Sequence, residues 1–157
     1  MAILEVVHEA GKFRDNAALH DVINYCCQLT KTESGYVGGI AVNPLYATTE
    51  METLASVYRN YDGVRLRHMV LSFKRAEVSS PYTAFEIARG VAEFYGSSYQ
   101  IIFAVHEDTD EIHIHFVMNT VNYCTGKKYI GTKKDYYDFQ KYVKEILYEY
   151  GLFLVVM

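Results

Sequence analysis

Six runs of this chain carry a strand-like pattern and four carry a helical one. Residues 2–8 read as a strand, with a loop over 11–15 behind it. Leu19, Val22, Ile23 and Cys26 then recur at helical spacing. Asp15 or Asn16 can cap that helix, which runs to about residue 27. Tyr25 lies off the centre of the stripe, toward its polar edge. A polar turn at 31–35 precedes a short strand at 36–42. Thr48 or Thr49 caps a second helix to about residue 60, with Met51, Leu54, Ala55 and Tyr58 inward. Residues 65–73 are a strand with His68, Val70 and Ser72 on one face. Ser79 or Ser80 caps a third helix, Pro81 suits its first turn, and Gly96 closes it. Two strands follow, 99–105 and a longer one extending toward residue 123. Residues 134–150 form the last helix, capped by Gly151, and 152–156 a last strand. The order β-α-β-α-β-α-β-β-α-β predicts an α+β fold. One largely antiparallel sheet of five or six strands has helices packed on it.

The most informative stretch runs from His106 to Asn119. Alternation on a strand puts His113, His115, Val117 and Asn119 on one face. Ile112, Ile114, Phe116 and Met118 go to the other, into an apolar layer. The polar residues 107–110 read as a hairpin turn. If His106 pairs opposite His113, small Ala104 falls opposite His115 and three imidazoles converge. That is a three-histidine metal site with open positions. A lone His-x-His pair is more often hydrogen-bonded than metal-ligating. The third histidine across a short turn, with Asp108 near enough to orient an imidazole, tips the reading toward a metal.

Composition narrows the setting. The 157 residues suit one domain, and half are hydrophobic, enough for a full core. The three cysteines, two of them adjacent, make no disulfide framework and point to a reducing compartment. No signal peptide and no membrane-length apolar run is visible, so a cytoplasmic protein is expected. The chain stops directly after a hydrophobic strand, and residues 1–157 are expected to be the N-terminal part of a longer protein. A formal net charge of −4 argues against an extended DNA-wrapping surface. It leaves room for a local basic strip. Lys127, Lys128, Lys133 and Lys134 gather just past the histidine strand, and Lys31 could touch a phosphate or only solvate a turn. The 15 tyrosines could stack on bases or fill a half-wet sheet surface.

A metal held by neutral histidines can polarise a phosphoryl oxygen or activate water. The first use needs a separate nucleophile. Ser72 has no base beside it in sequence, and Cys26, Cys27 and Cys124 show no activating neighbours. A phenol, with a reference pKa of about 10, attacks only where its phenolate or the transition state is stabilised.

Several motifs carry a resemblance. Residues 17–25, with Lys31 and Thr32 six positions on, resemble the opening motif of the mobilisation relaxases. These are enzymes that nick DNA at plasmid and integrative-element transfer origins. Residues 67–73 with Glu77 resemble their second motif, and His106, Asp108, His113 and His115 on to Asn119 resemble the third. Gly126, Lys127, Lys128 and Tyr129 are similar to the segment that follows. The histidine–hydrophobic–histidine pair names the wider HUH endonuclease superfamily.

The resemblance implies a strand-specific DNA endonuclease and transesterase for mobilisation and conjugative transfer. Tyr25 would attack one phosphodiester of single-stranded DNA, forming a 5′-phosphotyrosyl intermediate and releasing a 3′-hydroxyl. His106, His113 and His115 would hold Mg²⁺ or Mn²⁺, with Asp108 orienting one histidine. An all-histidine set suits Zn²⁺, Ni²⁺ or Mn²⁺ better than Mg²⁺. Ser72, Asn119, Lys31, Lys127 and Lys128 are candidates to border the site or touch DNA. Glu77 and Glu86 are weaker outer candidates. A monomer working with an accessory relaxosome protein, and no membrane, is expected. Tyr36, Tyr46 and the Tyr136–Tyr137 pair rival Tyr25. The last pair would serve a rolling-circle replication initiator, whose tyrosine follows the histidine strand. A metal-dependent hydrolase of a small molecule and a non-catalytic DNA-binding domain are the other readings.

Overall fold

The structure, a computed structural model, describes residues 1–7, 13–27, 35–78, 80–107 and 110–157. In chain order these form β1 (Ala2–Val7), α1 (Asn16–Cys26), β2 (Val37–Ile40), α2 (Ala47–Tyr58), β3 (Leu66–Lys74), α3 (Pro81–Gly96), β4 (Tyr99–His106), β5 (Glu111–Asn122), α4 (Lys133–Glu149) and β6 (Leu154–Val156). The fold is α+β, with one open mixed sheet in the order β2-β4-β5-β3-β1-β6. Every pairing is antiparallel except β1 with β6.

Local chemistry explains most boundaries. Asp15 accepts the backbone N–H of Ala18 at 2.8 Å and starts α1. Ser80 caps α3 ahead of Pro81, while Ser79, its rival for that role, lies outside the described residues. Thr132 caps α4 through Asp135 N–H at 3.0 Å, one residue earlier than the spacing predicts. Such a cap contributes about 1 kcal/mol. The second helix corrects the expectation: neither Thr48 nor Thr49 caps it. A 3-10 turn over Pro44–Tyr46, itself capped by Asn43, leads straight into α2 at Ala47. The turn is closed by Tyr46 N–H donating to Asn43 O at 3.0 Å, and α2 begins without a side-chain cap. Tyr58, expected inward, is exposed, and its hydroxyl donates to the carbonyl of Tyr123 at 2.9 Å. Gly96 ends α3 for a packing reason, since a Cβ there would sit 2.8 Å from the side chain of Ile40 on β2.

Two cores flank the sheet. On one face α3 and α4 cover Met69, Leu71, Phe73, Phe103, Ile112, Ile114, Phe116 and Met118. On the other, α1 and α2 cover a smaller patch of Leu66, Ile102 and Val117 with Leu19, Ile23, Cys26, Ala47 and Met51. Each large side chain so buried contributes about 1.5–3 kcal/mol. β5 lies between β4 and β3, so its histidines fall mid-sheet, on the thinly covered face. The expected register is the observed one: His106 faces His113 and Ala104 faces His115.

Candidate active site

Leu19, Ile23 and Cys26 are buried and seat α1 against the sheet. Tyr25 precedes Cys26 by one residue, a rotation of about 100° on the helix. It therefore sits at the rim of the interface, 43% exposed. Its ring meets those of His106 and His115 edge-on, with centroids 5.8 and 5.7 Å away.

His106 and His115 are buried, with ring centroids 4.0 Å apart. Nε2 of His106 lies 2.7 Å from the backbone carbonyl of Cys26. A carbonyl only accepts, so that nitrogen carries the proton and the lone pair of the neutral ring is on Nδ1. Nδ1 of His115 faces Nε2 of His68 at 2.9 Å, and the two rings stack at 5.2 Å. Sγ of Cys26 lies 3.7 Å from the same Nε2. Burial, and then the neighbouring Cys27, pushes the Cys26 thiol well above the usual thiol range. Burial raises the Cys27 thiol to about 11. His113 is farther out, its centroid 6.4 Å from that of His115. Its Nε2 is 3.4 Å from the carboxylate of Glu111. Arg75 donates to the carbonyl of Glu107 and ties down the end of the β4 hairpin arm.

The fold thus brings Tyr25, His106, His115 and, at the margin, His113 together. Ser72 stands opposite His113 in the β3–β5 register. Other candidates are elsewhere. Asn119 is on the same face but buried under α2, donating to Met51 O at 3.3 Å and Gln100 Oε1 at 3.0 Å. Lys127 and Lys128 lie past the far end of β5 from the histidines. Lys127 is exposed, while Lys128 Nζ donates to Val64 O and Thr120 Oγ1. Burial, and then the charge of Arg65, lowers the Lys128 ammonium to about 8. Glu77 pairs with the N-terminal ammonium. Asp108 and Lys31 lie outside the described residues.

Two residues emerge here that the periodicity did not single out. Among the described residues, the group whose ligand atoms all lie within 4.8 Å of one another is Cys26, His68 and His115. Cys26 reads in sequence as part of an apolar stripe, and His68 as one member of a strand face. The signal available was that His68 shares its face with Ser72. What it lacked was knowledge that β3 lies beside β5.

The family model for the MobA/VirD2-like relaxase nuclease domain matches residues 25–152. The chain belongs to this relaxase family. Among curated proteins it is similar to Protein rlx of Staphylococcus aureus, 30% identical over 130 residues, covering 83% of this chain and 40% of that protein. It is also similar to the group II intron-interrupted relaxase LtrB of Lactococcus lactis, 35% identical over 63 residues, 40% of this chain and 11% of LtrB. Protein TraI of Escherichia coli is 31% identical over 96 residues, 60% of this chain and 12% of TraI. The chain therefore spans about 40% or less of the length of these curated proteins. No solved structure matches it.

On this relaxase fold Tyr25 is, among the described residues, the tyrosine whose ring meets the imidazoles. Tyr136 and Tyr137 are on α4, which packs on the other face of the sheet. Tyr36 packs on Tyr82 and Phe85, and Tyr46 is exposed in the 3-10 turn. No helix among the described residues is long and apolar enough to cross a membrane.

Proposed function

We propose that this chain is a DNA-nicking relaxase domain in which Tyr25 is the nucleophile, acting on single-stranded DNA at a transfer origin. The observation that carries the reading is the edge-on approach of the Tyr25 ring to His106 and His115 from the end of α1. That phenol is half in solvent, where a DNA strand can reach it.

The phenol oxygen attacks phosphorus, and the bond to the 3′-oxygen breaks. The phenolic proton ends on the departing 3′-oxygen through solvent. The product is a 5′-phosphotyrosyl ester and a free 3′-hydroxyl, and reversal rejoins the strand. The phosphodiester energy is kept in the ester, so no nucleotide triphosphate is consumed. His106 steadies the backbone beside the nucleophile through its bond to Cys26 O, and His68 holds the tilt of His115. His106, His113 and His115 would hold a divalent ion, Mg²⁺ or Mn²⁺, with Asp108 orienting one ring. Imidazole nitrogens are donors such an ion takes, and they favour Mn²⁺ over Mg²⁺. When bound, that ion supplies Lewis-acid polarisation of the scissile phosphate. Ser72, beside His113, would border the DNA.

The test is incubation with Mn²⁺ and single-stranded oligonucleotides tiling the DNA that flanks the gene. An SDS-resistant adduct that maps to Tyr25, and disappears in Tyr25→Phe, is expected. An adduct undiminished in Tyr25→Phe removes the assignment. Cleavage with no adduct favours a water-using hydrolase instead.

A further inference from the structure

The three-histidine reading gives Cys26 no chemical part and His68 only a supporting one. Yet the two are buried beside a proposed metal ligand, at 0% and 8% exposure. We propose that Cys26, His68 and His115 form a second metal site that takes a thiophilic divalent ion of the Zn²⁺ class, and that filling it withdraws His115 from the three-histidine set. The second half rests on the function proposed above.

The geometry is close to what such an ion needs. Zinc bonds of about 2.0–2.1 Å to nitrogen and about 2.3 Å to sulfur put tetrahedral ligands about 3.3 Å (N to N) and about 3.6 Å (N to S) apart. Here Nε2 of His68 lies 2.9 Å from Nδ1 of His115 and 3.7 Å from Sγ of Cys26. All three atoms fall within 4.8 Å of one another. The nitrogens need part by only a few tenths of an ångström as the cation replaces the shared proton. The ligands come from three separate elements, α1, β3 and β5, each seated by its own packing. The site is therefore assembled by the tertiary structure rather than by a flexible loop.

The donors also decide which ion enters. One sulfur and two imidazoles favour Zn²⁺ or Co²⁺ and give Mg²⁺ nothing to prefer. A thiol binds a metal as thiolate, so entry must expel its proton to solvent, which a thiophilic ion does and a hard one does not. No redox change is involved. His115 is the pivot because its one ring cannot face both His68 and the two histidines of the hairpin with the same lone pair.

The chelator-treated protein is titrated with Co²⁺ as a spectroscopic stand-in for Zn²⁺. A thiolate-to-cobalt charge-transfer band in the near ultraviolet is expected, bleached by Zn²⁺. It should vanish in Cys26→Ala and persist in Cys27→Ser, Cys124→Ser and His113→Ala. His68→Ala should weaken ion binding by at least about 10-fold, the lower end of what even an outer partner of a ligand costs. Zinc-edge X-ray absorption of the wild-type protein should give one sulfur in the ligand shell, a readout that needs no variant to fold. Absence of the band with a sulfur-free zinc shell overturns the site, as does a band that follows Cys27 or Cys124. In the adduct assay, Zn²⁺ added before Mn²⁺ should inhibit the wild type more than Cys26→Ala. Equal inhibition overturns the competition for His115. If no ion yields an adduct, the nicking function falls, while the cobalt and zinc spectra still decide the site.

Discussion

His106 and Cys26 are 80 residues apart in sequence, yet Nε2 of His106 lies 2.7 Å from the Cys26 carbonyl. This bond fastens the end of β4 to the end of α1, directly after Tyr25. A proposed ligand and the backbone of a proposed nucleophile are thus one mechanical unit. His106→Ala leaves a buried carbonyl unpaired and should cost about 1–3 kcal/mol in urea denaturation. It should also lower the rate of adduct formation by about 10²-fold or more, since an ångström of misplacement costs that much. Wild-type rates in His106→Ala would separate this bond from the chemistry.

Asn119 is buried and spends both amide donations on Met51 and Gln100, while its Oδ1 accepts from Val121 N–H. It links the sheet to α2. Asn119→Ala should destabilise the fold by about 2–3 kcal/mol, because two buried acceptors lose their donor. Mn²⁺ affinity, read by isothermal titration, should stay within about 2-fold, a difference of under 0.5 kcal/mol. A selective loss of metal or DNA binding in a stably folded variant would instead return Asn119 to the site.

Gly126 has φ +74°, and a Cβ there would overlap the ring of Tyr58. Left-handed strain and overpacking add, so Gly126→Ala should lose about 2–4 kcal/mol. Tyr58→Ala in the same background should recover the steric part, which thermal melts of the double mutant would show. Recovery of nothing would place the whole cost in the backbone.

Lys128 should make stability depend on alkaline pH. Burial lowers its ammonium from 10.5 to about 8, so between those values the unfolded chain binds more protons than the folded one. Stability from this group is therefore complete above pH 10.5 and is lost as pH falls through about 8. The buried cysteines and tyrosines titrate in the opposite sense from about pH 9 upward, because their folded values are raised. The measurement is accordingly the difference between wild-type and Lys128→Met denaturation curves. That difference should move in favour of the wild type as pH rises from 7 toward 10. A flat difference would mean that Lys128 is solvated like any surface lysine.

Much of the site's frame was legible along the chain. Period-two alternation through His113, His115, Val117 and Asn119, with a short polar turn before it, is enough to set the hairpin register, because a slip of one residue would turn Ile112, Ile114 and Phe116 out of the core. Asp15 and Ser80 announce their helices because a cap acts on N–H groups only two or three residues away. The three separated motifs named the family before any pairing was known. Tyr25 was visible as a residue off the apolar stripe, although its approach to the imidazoles was not.

What local pattern determined, then, is the identity of the elements, the hairpin register and the side of β5 on which the histidines stand. Each of these depends on interactions between near neighbours in the chain. Tertiary structure alone decided that β3 lies beside β5, that α1 crosses the histidine face, and hence that Cys26 and His68 join His115 while Asn119 is spent on α2. Those choices follow from how two cores of unequal size are shared between the faces of one sheet, a balance summed over residues far apart that no short window of sequence contains.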